Sequence, residues 1–540
     1  MVQPTHDYII IGAGSAGCAI ASRLTENPNI SVLLLEAGGS DINPFVASPL
    51  GETALLESKW DWNFPGEPEP MLRGSSLHLS RGKCLGGSSS INGQLAFRGH
   101  PEDYNAWERM GNPGWSYEDV LPLFKRMETY EGGESEQRGG SGPLSVIGST
   151  HTHPLWDAFI ECGKELGYKE IEDFNSGDLD GFGYCQHTHY KYPLLRCSSS
   201  YAYLLKARFR KNLTILKHAE VQRLIIENGE AKGAEFKRHG QLEKAFAARE
   251  VILCAGAYMS SKLLMLSGIG PKAEIEAVGI ECINHRAGVG KNLKDQIGTF
   301  VQHYLKQPIS YFKYTKLHNQ VAAGLEWLVM GRGPLTVFPM NCSAFLRSED
   351  GLLQPDVQFY IFPVGVNAHE DSTYDTKFHG FNIHWGRIHP ESNGEVTLRS
   401  SDPSDPPRIV NNFFTDESDR KINRWAFRMA RRMMETAALK RFSAGEETPG
   451  TACESDEEID ELTSRYFANH YHASGSNKMG PASDPQAVVD HQLKVHGTRH
   501  LRVADVSIMP RGVSGGFNIP TIMIGEKCAD MLLADHAGRA

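Results

Sequence analysis

The stretch HDYIIIGAGSAGCAIASRL, near the start of the chain, limits the possible folds more than any other segment. Tyr8 to Ile11 is a β-branched-rich run, as in parallel strands buried on both faces. Gly12, Gly14 and Gly17 then form G-x-G-x-x-G. The first glycine permits a tight turn, the second lets backbone approach a pyrophosphate, and the third lets the next helix pack on the strand. A helix is expected over roughly 16–24, with Ser15 and Ala16 at its mouth, where free N–H groups favour an anion. A second strand, 31–35, runs into Glu36 and Ala37, where an acid can accept hydrogen bonds from an adenosine ribose. The segment is a dinucleotide-binding unit. Its glycines alone do not separate NAD from FAD.

At 540 residues the chain exceeds the size at which one core keeps growing, so two or more domains are expected. A net charge of −10 carries no footprint for nucleic acid. No run approaches 18 consecutive apolar residues, so no membrane span is expected. The first strand starts by residue 8, leaving no room for a signal peptide before it. The 10 cysteines are scattered, with no C-x-x-C pair. Both features point to reduced thiols in a cytoplasmic enzyme. His187 and His189 form an H-x-H pair without further ligands at metal-site spacing, so no metal is expected. Residues 131–142, EGGESEQRGGSG, read as an exposed, mobile loop.

A second glycine–serine cluster spans SRGKCLGGSSSINGQLAFRGH. Gly86 and Gly87 permit close backbone approach, and Ser88 to Ser90 supply hydroxyls, which suits a segment laid along an extended cofactor. Strands are expected within 212–227 and at 251–254, the latter followed by a small-residue turn at Ala255 and a helix from about 260. Between about 300 and 470, short strands (357–362, 382–388, 395–398) alternate with turns, and one amphipathic helix covers 416–439. That texture fits an antiparallel sheet covered by helices, and the helix's basic residues form a solvated face. A last strand, 501–504, ends at Ala504-Asp505, and a helix from about 522 follows Pro520 and Thr521.

Four blocks in order, GAGSAG, GKCLGGSSSIN, GAYMSSKLLMLSGIG, and YHASGSNKMG with the terminal NIPT, resemble the glucose–methanol–choline (GMC) oxidoreductases over nearly the whole chain. The resemblance implies an α/β fold: a Rossmann-like FAD-binding domain (1–155, 213–300 and 485–540) and a discontinuous α+β substrate-binding domain (156–212 and 301–484). It implies FAD as cofactor, with Gly12, Gly14, Ser15 and Gly17 at the pyrophosphate and Glu36 at the ribose. Arg81, Gly86, Gly87, Ser88, Asn92, Gly93, Gln94 and Leu95 would run beside the pyrophosphate and flavin. Val221 would meet the adenine, and Asp505 the ribityl and phosphate end. His472 corresponds to the active-site histidine and Asn518 to its partner. The implied reaction is oxidation of a primary alcohol to an aldehyde, with proton abstraction and hydride transfer to flavin N5.

A base that strips the O–H proton makes the C–H hydride easier to expel, and imidazole suits this role. Asn518 can donate to the developing oxyanion. Tyr471 lines either the flavin pocket or the core. His470 is expected to project to the opposite face and is given no role. Where some family members tether flavin through histidine, this chain reads Ser90-Ile91-Asn92, so FAD is expected to be noncovalent. Phe338, Cys342, Phe359 and Trp385 are candidate pocket residues. The alternatives are a hydroxynitrile lyase or a photodecarboxylase on the same fold; His472 argues against the latter. The electron acceptor is either dioxygen or a quinone-like carrier, a choice left open.

Overall fold

The computed structural model describes residues 5–368, 374–375 and 378–538. Strand β1 (Thr5–Ile11) lies in a seven-stranded sheet, paired in parallel with β2 (Val32–Leu35) and with Gln241–Leu253. Leu213–Leu216 extends the parallel part beyond β2, and Leu501–Val503 pairs with the end of Gln241–Leu253. The strands Ala219–Glu227 and Glu230–Arg238 complete the sheet as an antiparallel meander. Ile9, Ile10, Val32, Leu34, Val251 and Leu253 are wholly buried, as strands covered on both faces require.

Helix α1 (Ser15–Leu24) packs against the C-terminal helix Asn518–Ala537. At their crossing, a Cβ on Gly525 would lie 2.6 Å from the Ala16 carbonyl oxygen, so only glycine allows the approach. The buried Glu526 carboxylate ties the crossing together, accepting from Arg23 Nε at 2.9 Å and Tyr203 Oη at 2.6 Å. Helix α2 (Gly256–Leu266) begins directly after the central strand. It starts four residues before the expected position, because the turn at Ala255 is already its N-cap.

The second sheet has six antiparallel strands in the order Ser443–Thr448, Phe300–Leu305, Gly380–Arg387, Val357–Phe362, Cys342–Leu346, Gly181–Tyr184. Period-two alternation gives it two unlike faces. Val301, Phe359, Ile361, Ile383 and Trp385 pack with the helices Pro154–Glu165 and Glu417–Glu435 in one apolar core. Gln302, Gln358, Tyr360, Asn382 and His384 alternate with them and point the other way.

Several expectations change here. Strand Glu395–Thr397 pairs with Arg408–Val410 in a separate ribbon, outside the six-stranded sheet. The long helix stops at Glu435, where Thr436 turns extended, and a short helix Ala437–Lys440 follows. The 131–142 segment is exposed at its tip, but Arg138 is buried. Its guanidinium bonds Glu128 Oε1 at 2.9 Å and Asp173 at 2.7 Å, and Arg98 reaches the same Glu128 at 2.7 Å. The loop is anchored through a charge cluster rather than free. Among the described residues, no helix is long and apolar enough to cross a membrane.

Candidate active site

The two glycine clusters meet although about 70 residues separate them in the chain. A Cβ on Gly17 would lie 2.0 Å from the Gly12 carbonyl oxygen, which fixes the third glycine as a packing position. A Cβ on Gly87, at φ +54°, would lie 2.8 Å from the Gly14 Cα. Gly86 N donates to the Ala13 carbonyl at 2.7 Å, which locks the clusters together. At Gly14 itself a side chain would meet only the Cys254 oxygen, at 3.8 Å, so that side of the turn is open.

Neither α1 nor the C-terminal helix has a side-chain N-cap. Their mouths are joined by Ser15 Oγ donating to Asn518 Oδ1 at 2.8 Å. Two uncapped helix N-termini beside an open glycine turn fit a doubly charged pyrophosphate. The last helix begins at Asn518 rather than near 522, so Asn518, Pro520 and Thr521 all lie in its first turn. Thr521 Oγ1 donates back to the Phe517 carbonyl at 2.6 Å.

Glu36 stands at the end of β2, accepting from Ala13 N at 2.9 Å and Gly38 N at 2.7 Å, with Ala37 between. Burial pushes its carboxyl up to about 7. Each oxygen keeps a second lone pair for a ribose hydroxyl. Val221 is buried in the adjoining strand, two residues beyond Ala219, whose N–H donates to the Glu36 carbonyl. Ala504 N donates to the Leu253 carbonyl at 2.8 Å. The buried Asp505 accepts from Gly256 N at 2.8 Å and Ser260 Oγ at 2.6 Å, while Ser260 Oγ also receives the Ala255 N–H.

Along the second cluster, Ser88 Oγ accepts from Gly82 N at 3.1 Å. Arg196 Nη1 bonds Asn92 Oδ1 at 2.8 Å, and Gln94 is buried at φ +63°. Leu95 bridges to His187. A Cβ on Gly93 would lie 3.1 Å from Glu52 Oε2 and 3.4 Å from the Phe338 ring, so this glycine faces a narrow slot. Arg81 covers the Tyr258 ring at 4.8 Å, donates to its hydroxyl at 3.1 Å and stands 3.7 Å from Asp295. That position is on the His472 side of the site.

His472 is held from both ends. Its backbone N–H donates to Asp295 Oδ1 at 2.6 Å, and its Nδ1 lies 2.7 Å from Gln296 Oε1. Gln296 Nε2 donates to the Ile388 carbonyl at 2.8 Å, so the amide oxygen must be the atom facing the histidine. An oxygen there accepts only, which puts the imidazole proton on Nδ1 and a lone pair on Nε2. Burial and the neighbouring His470 and Arg81 push the His472 imidazole down to about 3, so the ring is neutral at neutral pH. Asp295 is pushed up to about 6 by burial, against the pull of Arg81. Phe517 stacks on the imidazole at 5.0 Å, and His472 borders a cavity of about 380 Å³. Among the described residues no hydrogen bond joins His472 to Asn518.

His470 does not turn away. Residues i and i+2 of an extended segment share a face, and the intervening Tyr471 is left-handed at φ +59°. The two imidazoles lie 6.2 Å apart, and Tyr471 is left partly exposed. His470 also meets Tyr360 at 5.9 Å, which joins the histidines to the polar face of the second sheet. There, Gln358 Oε1, His384 Nε2 and His470 Nε2 have no hydrogen-bond partner among the described residues. Phe359 and Trp385 lie on the opposite, helix-packed face, and Cys342 belongs to the same apolar core, so these three do not line the site. Phe338 does, beside Gly93.

Sequence models of the N- and C-terminal parts of the GMC oxidoreductases match residues 6–298 and 390–525. The chain belongs to the GMC oxidoreductase family. An oxygen-dependent choline dehydrogenase of Rhizobium etli is 42% identical over 528 residues, covering 98% of this chain and 95% of that one. Pyridoxine 4-oxidase from Mesorbium loti superposes with a TM-score of 0.90 at 29% identity, covering 98% of this chain and 99% of its own. A formate oxidase of Aspergillus oryzae RIB40 gives 0.91 at 28%, with both chains wholly covered. As a GMC oxidoreductase, the chain is an FAD-dependent flavoenzyme that oxidises alcohols at CH–OH groups, with the expected α/β fold. Asp295, Gln296 and Glu52 were not singled out from the sequence. The only local signal was the run GVGKNLKDQ, and its meaning depends on a contact with His472 almost 180 residues later.

Proposed function

We propose that this GMC oxidoreductase oxidises a primary alcohol to an aldehyde, with His472 Nε2 as the base that takes the hydroxyl proton. The observation that carries the reading is the chain from the Ile388 carbonyl through the Gln296 amide to His472 Nδ1, which leaves Nε2 as a proton acceptor. FAD, held noncovalently along the joined glycine clusters, supplies the two-electron acceptor when bound. Segments 1–155, 213–300 and 485–540 form its domain, and 156–212 with 301–484 the substrate side. Asn518 orients the alcohol oxygen from the mouth of the C-terminal helix, whose positive end stabilises charge developing there. Burial keeps this imidazole neutral at neutral pH, so Nε2 is free to take the proton.

The substrate is a short alcohol carrying a further polar group. Gln358, His384 and His470 offer buried polar atoms without partners among the described residues, each costing about 1–3 kcal/mol until a ligand pairs with it. An alkyl chain leaves those costs standing. The test is anaerobic mixing of the yellow enzyme with a panel of alcohols, following bleaching of the flavin band. His472→Ala is expected to keep FAD and slow bleaching by roughly a hundredfold or more. Bleaching of that variant at the normal rate removes His472 from the mechanism. Cyanide release from mandelonitrile without bleaching by any alcohol identifies a lyase instead.

A further inference from the structure

The helix Leu317–Met330 is the most anomalous surface of the molecule. Of its residues only Ala323 is buried. Leu317, Val321, Leu325, Leu328 and Val329 recur at helical spacing on one side and face solvent, with Leu317 74%, Leu328 71% and Val329 76% exposed. Soluble monomers rarely expose a contiguous apolar stripe of this kind unless something covers it.

The stripe has apolar neighbours. Trp327 Nε1 donates to the Leu194 carbonyl at 3.0 Å, which sets the helix beside Tyr192, itself 85% exposed. The helix and the neighbouring Tyr192 thus present exposed apolar side chains together. Charge supplies the second argument. Residues 311–332 carry Lys313, Lys316 and Arg332 against the single acid Glu326, a local excess of two positive charges on a chain of net charge −10. Lys313 and Lys316 precede the stripe and Arg332 follows it.

We propose that this face docks on an anionic lipid surface, with the 317–330 helix lying in the plane of the headgroups. An amphipathic helix flanked by basic residues binds there through apolar burial together with attraction to anionic lipid. Tyr192, apolar in body and polar at the tip, suits the boundary. The basic residues orient the chain, while its remaining negative charge holds the rest of the molecule away from the surface.

Co-sedimentation of the FAD-loaded full chain with vesicles tests this. The protein is expected to pellet with phosphatidylcholine vesicles containing phosphatidylglycerol, and several-fold less with pure phosphatidylcholine. High salt is expected to weaken the anionic preference. Leu325→Asp with Leu328→Asp is expected to weaken vesicle binding roughly tenfold or more while leaving FAD content, Tm and bleaching by alcohol unchanged. Lys313→Glu with Lys316→Glu is expected to remove only the preference for anionic vesicles. The proposal is overturned if the wild-type chain stays in the supernatant with every vesicle, or if the double aspartate variant pellets as well as wild type. It is equally overturned if light scattering shows a dimer that the double aspartate variant splits, since the stripe then pairs with a second copy.

Discussion

Replacing Gln296 with leucine tests the tautomer argument without touching the base. Gln296 is buried, and leucine preserves most of its volume while removing the acceptor that faces His472 Nδ1. The Nδ1–H form of the ring then carries an unpaired buried donor, at a cost of about 1–3 kcal/mol. The ring can escape that cost by moving its proton to Nε2, the atom that must be bare to accept from the alcohol. At about 1.4 kcal/mol per factor of ten, flavin bleaching should slow by roughly tenfold to a hundredfold. Rapid anaerobic mixing at saturating alcohol measures the rate, and FAD content should be unchanged because Gln296 meets the base at Nδ1, apart from both glycine clusters. Gln296→Glu restores an acceptor and adds charge. A carboxylate beside imidazole favours the protonated ring, so the pH at which activity collapses on acidification should move upward from the very low value set by burial. Reduction of the leucine variant at the wild-type rate, with normal pH dependence, would show that the amide does not set the proton's place.

Three further outcomes follow from the geometry. Gly87→Ala puts a methyl group 2.8 Å from the Gly14 Cα at a left-handed backbone position, so the purified variant should be largely colourless, with FAD content read by absorbance. Glu128→Gln leaves the buried Arg98 and Arg138 guanidinium groups short of their shared carboxylate, and denaturant melts should show a loss of about 3–5 kcal/mol. Acidification should unfold the protein. Burial depresses His153, His187 and His470 to about 4 and His384 and His472 to about 3, so the stability they confer is full above 6.5 and lost as pH falls toward those values. Glu36 and Glu52, raised to about 7, and Asp295, raised to about 6, act oppositely, stabilising below their unfolded values and losing that as pH rises through the folded ones. Between about pH 6 and 4.5 the five histidines outweigh the three carboxyls by about two protons, or roughly 3 kcal/mol per pH unit. A Tm that stays flat across that window contradicts the burial argument.

Much of the nucleotide end was legible because its constraints are local. A glycine at Gly17 or a strand such as Ile9–Ile11 states its reason within a few residues. The substrate side was less so. Alternation shows that Phe359 and Tyr360 face opposite ways, but not which way the helices lie, and Phe359 and Trp385 belonged to the core. A left-handed tyrosine and an error of parity hid the closeness of His470 to His472. Gln296 was invisible because its orientation is set by a carbonyl at Ile388, about 90 residues downstream. Arg138 lay in a run whose composition reads as solvent, and only the distant Glu128 and Asp173 explain its burial.

The contact between Gly525 and Ala16 has a consequence for how the molecule is made. The phosphate turn leaves the ribosome well before the helix that closes its mouth, since Ser15 and Asn518 stand 503 residues apart. A nascent chain therefore carries an unfinished cradle until that helix emerges, and dinucleotide capture should wait for it. Loss of the helix Asn518–Ala537 should yield a protein that never turns yellow, even with the glycines of both clusters in place.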